Sequence, residues 1–129
     1  MSAIFIGLLG GAICFCSVTF IKHKFGYDDA LDAFGCHGVG GIWGGIATGL
    51  FATKTVNSTG NNGLFYGNIN LLGSQLIAIL CTIVFSAVMT FIIMKIIDKL
   101  IGVRVTAEDE EQGLDISQQG EEAYGGSNL

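Results

Sequence analysis

The sequence predicts an all-α integral membrane protein of three transmembrane helices with a cytoplasmic tail, and three observations carry that prediction. Half of the 129 residues are apolar and 13% are charged, against about 25% charged in soluble domains. Seven of the eleven acidic residues lie between Glu108 and Glu122, so the charge is segregated. Three apolar stretches, 3–21, 33–52 and 71–101, alternate with polar segments. The chain thus divides into a transmembrane region, 1–106, and an acidic tail, 107–129. The net charge of −5 mostly describes that tail. It is no signal for basic partners, and nothing in it points to nucleic acid.

The first stretch, Ala3–Ile21, is followed by Lys22, His23 and Lys24. About 20 apolar residues cross the ~30 Å hydrocarbon core as a helix, so this one is just long enough. A cleaved signal peptide has a similar apolar core. Against it, no basic residue precedes the stretch, the stretch is long, and no small-x-small cleavage site follows. A span is expected.

The second stretch, Ala33–Ala52, is weaker by hydropathy, because it holds His37 and seven glycines lie between Gly35 and Gly49. A window scan alone would miss it. Its small residues carry the assignment: Gly40/Gly44, Gly41/Gly45 and Gly45/Gly49 are small-xxx-small pairs that let membrane helices approach closely. The same glycine density would weaken a helix in water. These five glycines are the expected packing positions, and the helix is expected to lie among other helices rather than to face lipid.

The third stretch begins at Leu71 and carries no charge from Leu76 to Met94. Asn70 is the expected cap. Its Ile, Val and Thr residues would favour a strand in water, but in lipid an isolated strand leaves its backbone unpaired, so a helix is expected.

Orientation follows from the basic residues. Lys22 and Lys24 lie in the first loop, and Lys95, Lys99 and Arg104 come after Met94, where the uncharged part of the third stretch ends; Lys54 lies in the second loop. The positive-inside rule then places the N-terminus outside and the tail in the cytoplasm. The second loop, Thr53–Ile69, reads as a polar extracellular turn. Its Asn57-Ser58-Thr59 is a weak glycosylation pattern, and a plain polar loop explains it as well. The cysteines (Cys14, Cys16, Cys36, Cys81) lie in apolar stretches without metal-ligand spacing and read as free thiols.

His37 is the ionisable residue well inside a span, ~7 Å along the helix axis from Asp32. Such a group is expensive in a membrane and by default functional; the competing account is a neutral imidazole bonded to a neighbouring helix for packing. Gly35, Gly38 and Gly41 leave open backbone space near it. Asp28, Asp29 and Asp32 precede it. Asp32 is placed to cap the helix start and all three suit its dipole, or they form a cation-attracting vestibule; one Asp can do both.

The segment from Asp28-Asp29-Ala30-Leu31-Asp32 through Ala33-Phe34-Gly35-Cys36-His37-Gly38-Val39-Gly40-Gly41-Ile42-Trp43-Gly44 resembles the signature of the Amt/Mep/Rh ammonium transporter family, in its Amt branch. A second match lies in the tail: Gly102-Val103-Arg104-Val105, Gly113-Leu114-Asp115, Gly120-Glu121 and Ala123-Tyr124. The resemblance extends over essentially the whole chain.

It implies an eleven-helix fold, N-terminus outside and C-terminus inside, assembled as a homotrimer with a narrow hydrophobic pore in each subunit. This chain would supply the ninth, tenth and eleventh helices and the cytoplasmic tail. The implied substrate is ammonium. His37 matches the second of two ring-to-ring pore histidines, Asp32 a residue at the cytoplasmic mouth, and Ala33 a small pore-lining position. Gly113, Leu114, Asp115, Gly120 and Tyr124 match the regulatory tail, which packs under a neighbouring subunit and helps form the surface met by PII-class signal proteins. Gln119 departs from the pattern, since many members carry histidine there. Composition alone would leave the acidic tail disordered.

The first pore histidine, the stacked phenylalanines and the outer recruitment site come from earlier helices in that family, and His23, among lysines, reads as a surface residue. The chain is therefore expected to be inert alone and to need the remaining transporter helices. The alternative is a small membrane subunit that docks on complete transporters or recruits a cytoplasmic partner. An enzyme is not expected, nor a cofactor or metal: no nucleophile–base pair, ligand set or phosphate loop is recognisable.

Overall fold

The computed structural model describes residues 2–122. They fall into two compact units, one ending at Val84 and the other beginning at Phe85. Among the described residues the regular structure is all helical, with no strand.

In the first unit, α1 runs Ser2–Phe25, one turn past the expected end. The added turn holds Lys22, His23 and Lys24, and cations suit the negative end of the helix dipole. The helix stops at Gly26, whose φ of 60° is the left-handed conformation that glycine adopts freely. Within α1, Ser17–Ile21 form a widened π turn.

Helix α2 covers residues 34–51: a π-helical Phe34–Val39 followed by an α-helical Gly40–Phe51. Residue contacts show that α1 and α2 form an antiparallel hairpin. Ile6 meets Trp43, Cys14 meets Gly40, Val18 meets Gly35 and Lys22 meets Asp32. Numbers rise along one helix as they fall along the other.

The loop after α2 folds back on the end of this hairpin. The Gly63 N–H donates to the Ala52 carbonyl at 2.7 Å, and a Cβ at Gly63 would lie 2.7 Å from the Gly49 and Leu50 carbonyl oxygens. Phe65 packs tilted against Phe51 with ring centroids 5.0 Å apart, and Phe51 makes an edge contact with Phe5 at 5.8 Å. The Asn57 side chain closes an Asx turn, accepting from the Thr59 N–H and hydroxyl.

Helix α3 spans Ile69–Ile101, roughly 50 Å at 1.5 Å per residue and longer than the hydrocarbon core. Its start is held by Asn68, not Asn70: the Asn68 Oδ1 accepts from the Asn70 N–H at 3.0 Å. The helix begins two residues earlier than expected, which moves the cap position with it. Of its first half, Leu72 and Ile79 touch α2. No side chain of α3 is buried, so its apolar surface is left for lipid or for other helices. Among the described residues, α1 and α3 are long and apolar enough to cross a membrane; the histidine and glycines of α2 lower its apolarity.

In the second unit, α3 ends at Gly102, with φ 77°. Helix α4, Ala107–Gln112, follows. Thr106 caps it: its hydroxyl accepts from the Asp109 N–H at 3.1 Å and donates to the Asp109 carboxylate at 2.8 Å. Arg104 pairs with Glu110 at 2.8 Å. Acidic residues in the first turn suit the helix dipole, so the charge run that composition alone would leave disordered is helical. Gly113 and Gly120, with φ 97° and 69°, flank a wide turn at Asp115–Gln119. Leu114 and Ile116 are exposed beside it. Tyr124 lies outside the described residues.

Candidate functional site

The site is built on the two faces of α2. One face is shut against α1. The Trp43 indole donates to the Ile6 carbonyl at 3.0 Å, and Gly10 makes room for the ring, since a Cβ there would lie 3.3 Å from Trp43 Cδ1. Cys14 reaches the Cys36 carbonyl at 3.7 Å. Deeper in the hairpin the two π segments face each other. Gly35 is buried against Ser17 and Val18, and a Cβ on it would lie 2.7 Å from the Val18 methyl. Ser17 is fully buried there, and Ala47 continues the same face at 1% exposure. Widened helical turns of this kind are frequent at functional positions, because they displace side chains from the regular helical register.

The other face is open. Ala33, His37, Gly41 and Thr48 are all exposed, and with Gly44 they follow at intervals of three or four residues, one side of a helix. A Cβ built on Gly41 or Gly44 would meet no atom within 4 Å. These two glycines therefore do not pack within this chain among the described residues. The other three do: Gly40 lies against Cys14, Gly45 against Ile79 and Gly49 against the backbone of Leu72. His37 thus projects from a stripe of small residues that neither α1 nor α3 covers. Gly38 has a local use, seating the Phe34 ring, which in turn makes an edge contact with Tyr27 at 5.6 Å.

The start of α2 is organised by Asp29 and Asp32, each differently. Asp29 is the cap: its two carboxylate oxygens accept from the Ala33 N–H at 2.8 Å and the Phe34 N–H at 2.9 Å. Asp32, the residue that its place beside the helix suggested as the cap, instead adopts φ 54°, a conformation Asp tolerates better than most residues. Its carboxylate bonds Lys22 Nζ at 2.6 Å. The same ammonium donates to the Asp29 carbonyl at 2.6 Å. Asp28 is engaged elsewhere.

Lys22 is the residue that sequence reasoning missed. It reads as an orientation signal, yet it closes the turn between α1 and α2. The opposite charges on either side of Gly26 were the available sign. A hollow of about 410 Å³ lies at the other end of the hairpin, beside Thr48, Phe51, Asn57 and Leu71, and its lining has no titratable side chain. The carboxyl and imidazole side chains of α2 and of the turn before it are those of the aspartates and His37.

The profile of the Ammonium Transporter Family matches residues 1–124. The chain is 56% identical over 123 residues to an ammonium transporter of Bacillus subtilis (strain 168), covering 95% of this chain and 30% of that protein. It is 45% identical over 123 residues to the ammonium transporter Amt1 of Archaeoglobus fulgidus, covering 95% of this chain and 30% of that protein. To ammonium transporter 1 of Dictyostelium discoideum it is 44% identical over 119 residues, covering 92% of this chain and 26% of that protein. The chain thus spans about 30% of the length of such relatives. With a profile match over nearly its whole length, this chain belongs to the ammonium transporter family.

Proposed function

We propose that this chain is the C-terminal part of an ammonium transporter, contributing three membrane helices, α1, α2 and α3, and a cytoplasmic tail. The observation that carries the reading is the two-faced α2: one side sealed by α1 and the other, bearing His37 on small residues, left open. An imidazole at bilayer depth is costly without a task.

In this reading the open stripe of Ala33, His37, Gly41, Gly44 and Thr48 lines one wall of a narrow pore. Helices outside this chain supply the other walls and a second imidazole. An ammonium ion entering an apolar conduit loses hydration at a cost of several kcal/mol or more. The ring nitrogens of His37 and its partner offset part of that cost by hydrogen bonding, and they offer a route for a proton. Hydrated alkali ions gain no such match. Asp32 stands at the cytoplasmic mouth. The N-terminus lies outside and the tail inside, following the distribution of Lys and Arg.

The complete protein is a homotrimer in this proposal. Gly113, Leu114, Asp115, Gly120 and Tyr124 form its regulatory tail, the surface offered to a PII-class signal protein. The division at 106/107 separates membrane region from tail. Three helices do not enclose a pore, so the chain alone is inert.

The test is ammonium uptake by vesicles holding the complete transporter with His37→Ala. Loss of ammonium selectivity over potassium is expected. Wild-type selectivity in that variant would overturn the assignment. Growth of uptake-deficient cells on low ammonium, with this chain as the sole transporter, would overturn the claim that it is inert alone.

A further inference from the structure

The turn between α1 and α2 places a primary ammonium group of the protein itself on the carboxylate of Asp32, the residue that precedes the open stripe. Lys22 Nζ is bonded to Asp32 Oδ1 and to the Asp29 carbonyl, each at 2.6 Å. Asp29's carboxylate is committed to the helix start, accepting from the Ala33 and Phe34 N–H groups, one on each oxygen. Asp28 has interactions of its own. The left-handed turns at Gly26 and Asp32 fold the two charges together across ten positions of sequence. The pair is not sealed: the Lys22 and Asp32 side chains are 26% and 36% exposed, so a cation from solution reaches the carboxylate only in competition with the tethered amine.

We infer that Lys22 is a specificity-determining residue of the cytoplasmic mouth, keeping Asp32 neutralised so that cations are not concentrated there by charge alone. The inference rests on the placement of Asp32 at that mouth. A bare carboxylate beside a low-dielectric opening raises the local concentration of any cation, potassium as readily as ammonium. With Lys22 in place the mouth carries no net charge from this pair, and discrimination is left to the hydrogen bonds offered deeper in, at His37. The amine is also chemically close to the transported ion, so it fits the same acceptors that an ammonium ion would use.

The experiment measures the apparent KM for ammonium from the cytoplasmic side, in neutral-lipid vesicles holding the complete transporter, with potassium as competitor. Lys22→Met exposes the Asp32 charge. It is expected to lower KM about fivefold at low salt, the effect of one unit charge about 4 Å away in water, and to make transport sensitive to potassium. Lys22→Arg retains the wild-type constant. Lys22→Met/Asp32→Asn restores it, because this pair of positions again carries no net charge.

An unchanged KM in Lys22→Met, with or without a slower maximum rate, would show a purely structural lysine and overturn the inference. A double variant that keeps the lowered KM would do so too. If Lys22→Met does not assemble, Lys22→Gln, which keeps a hydrogen-bond donor but no charge, decides: a lowered KM that rises back as salt screens the bare carboxylate supports the inference, and an unchanged KM overturns it. His37→Ala in the same vesicles separates the two claims. Retained selectivity there defeats the transport reading; a selectivity loss there with no KM shift in Lys22→Met defeats the inference about Lys22 alone.

Discussion

The indole of Trp43 donates to the main-chain carbonyl of Ile6 across 3.0 Å, fastening α2 to α1 two helical turns from His37. Membrane helices gain little from hydrophobic association, so close packing and single polar contacts of this kind carry much of their pairing. Trp43→Phe keeps the ring and removes the donor. A loss of about 1 kcal/mol is expected, read as a lower thermal midpoint of the complete transporter in detergent. An unchanged midpoint would show that the bond contributes nothing net.

The glycines of α2 separate into two kinds with different outcomes. A Cβ on Gly49 would lie 2.8 Å from the Leu72 Cα, a backbone atom that does not yield easily. Gly49→Ala is expected to destabilise by about 1–3 kcal/mol through overpacking. Gly41 faces open space, so Gly41→Ala leaves stability within about 0.5 kcal/mol while slowing ammonium flux by narrowing the stripe beside His37. Equal stability losses in the two variants would contradict this division.

Asp29 accepts two backbone N–H bonds at the start of α2. Asp29→Ala leaves both donors unsatisfied, and a cost of about 2 kcal/mol is expected from typical cap losses. Amide hydrogen exchange at Ala33 and Phe34 should accelerate, while exchange near Ala47, buried in the same hairpin, changes less. Uniform acceleration along α2 would mean that the cap controls the whole helix rather than its start.

Thr106 holds the tail helix through Asp109. Thr106→Ala is expected to cost about 1 kcal/mol of local helix stability, seen as faster exchange over 107–112 without a change in the thermal midpoint of the membrane region. No local effect would assign the order of this segment to other contacts, such as Arg104–Glu110.

Much of this architecture is legible in the sequence because its signals are one-dimensional. The length and apolarity of α1 and α3 mark them directly, and the glycine spacing marks α2 where hydropathy falls short. What the sequence does not display depends on chain reversal. Whether Asp29 or Asp32 caps α2 turns on the left-handed conformation at Asp32. The pairing of Lys22 with Asp32 needs the turn at Gly26 before the two charges meet. The π turns at Ser17–Ile21 and Phe34–Val39 have no residue signature, since the packing of Gly35 on Val18 accompanies them and no local propensity requires them. Gly41 and Gly44 look in sequence like Gly45 and Gly49; only the position of the neighbouring helices tells a packing glycine from one that keeps a face open.

Reactivity at position 37 tests the central claim most directly. With His37→Cys in the complete transporter, the reading predicts slow modification by a small polar thiol reagent, protection by ammonium, and no cross-linking to photoreactive lipid tails. Rapid modification by bulky impermeant reagents, or cross-linking to lipid, would place this residue in bulk water or against the bilayer and contradict a conduit lined by His37.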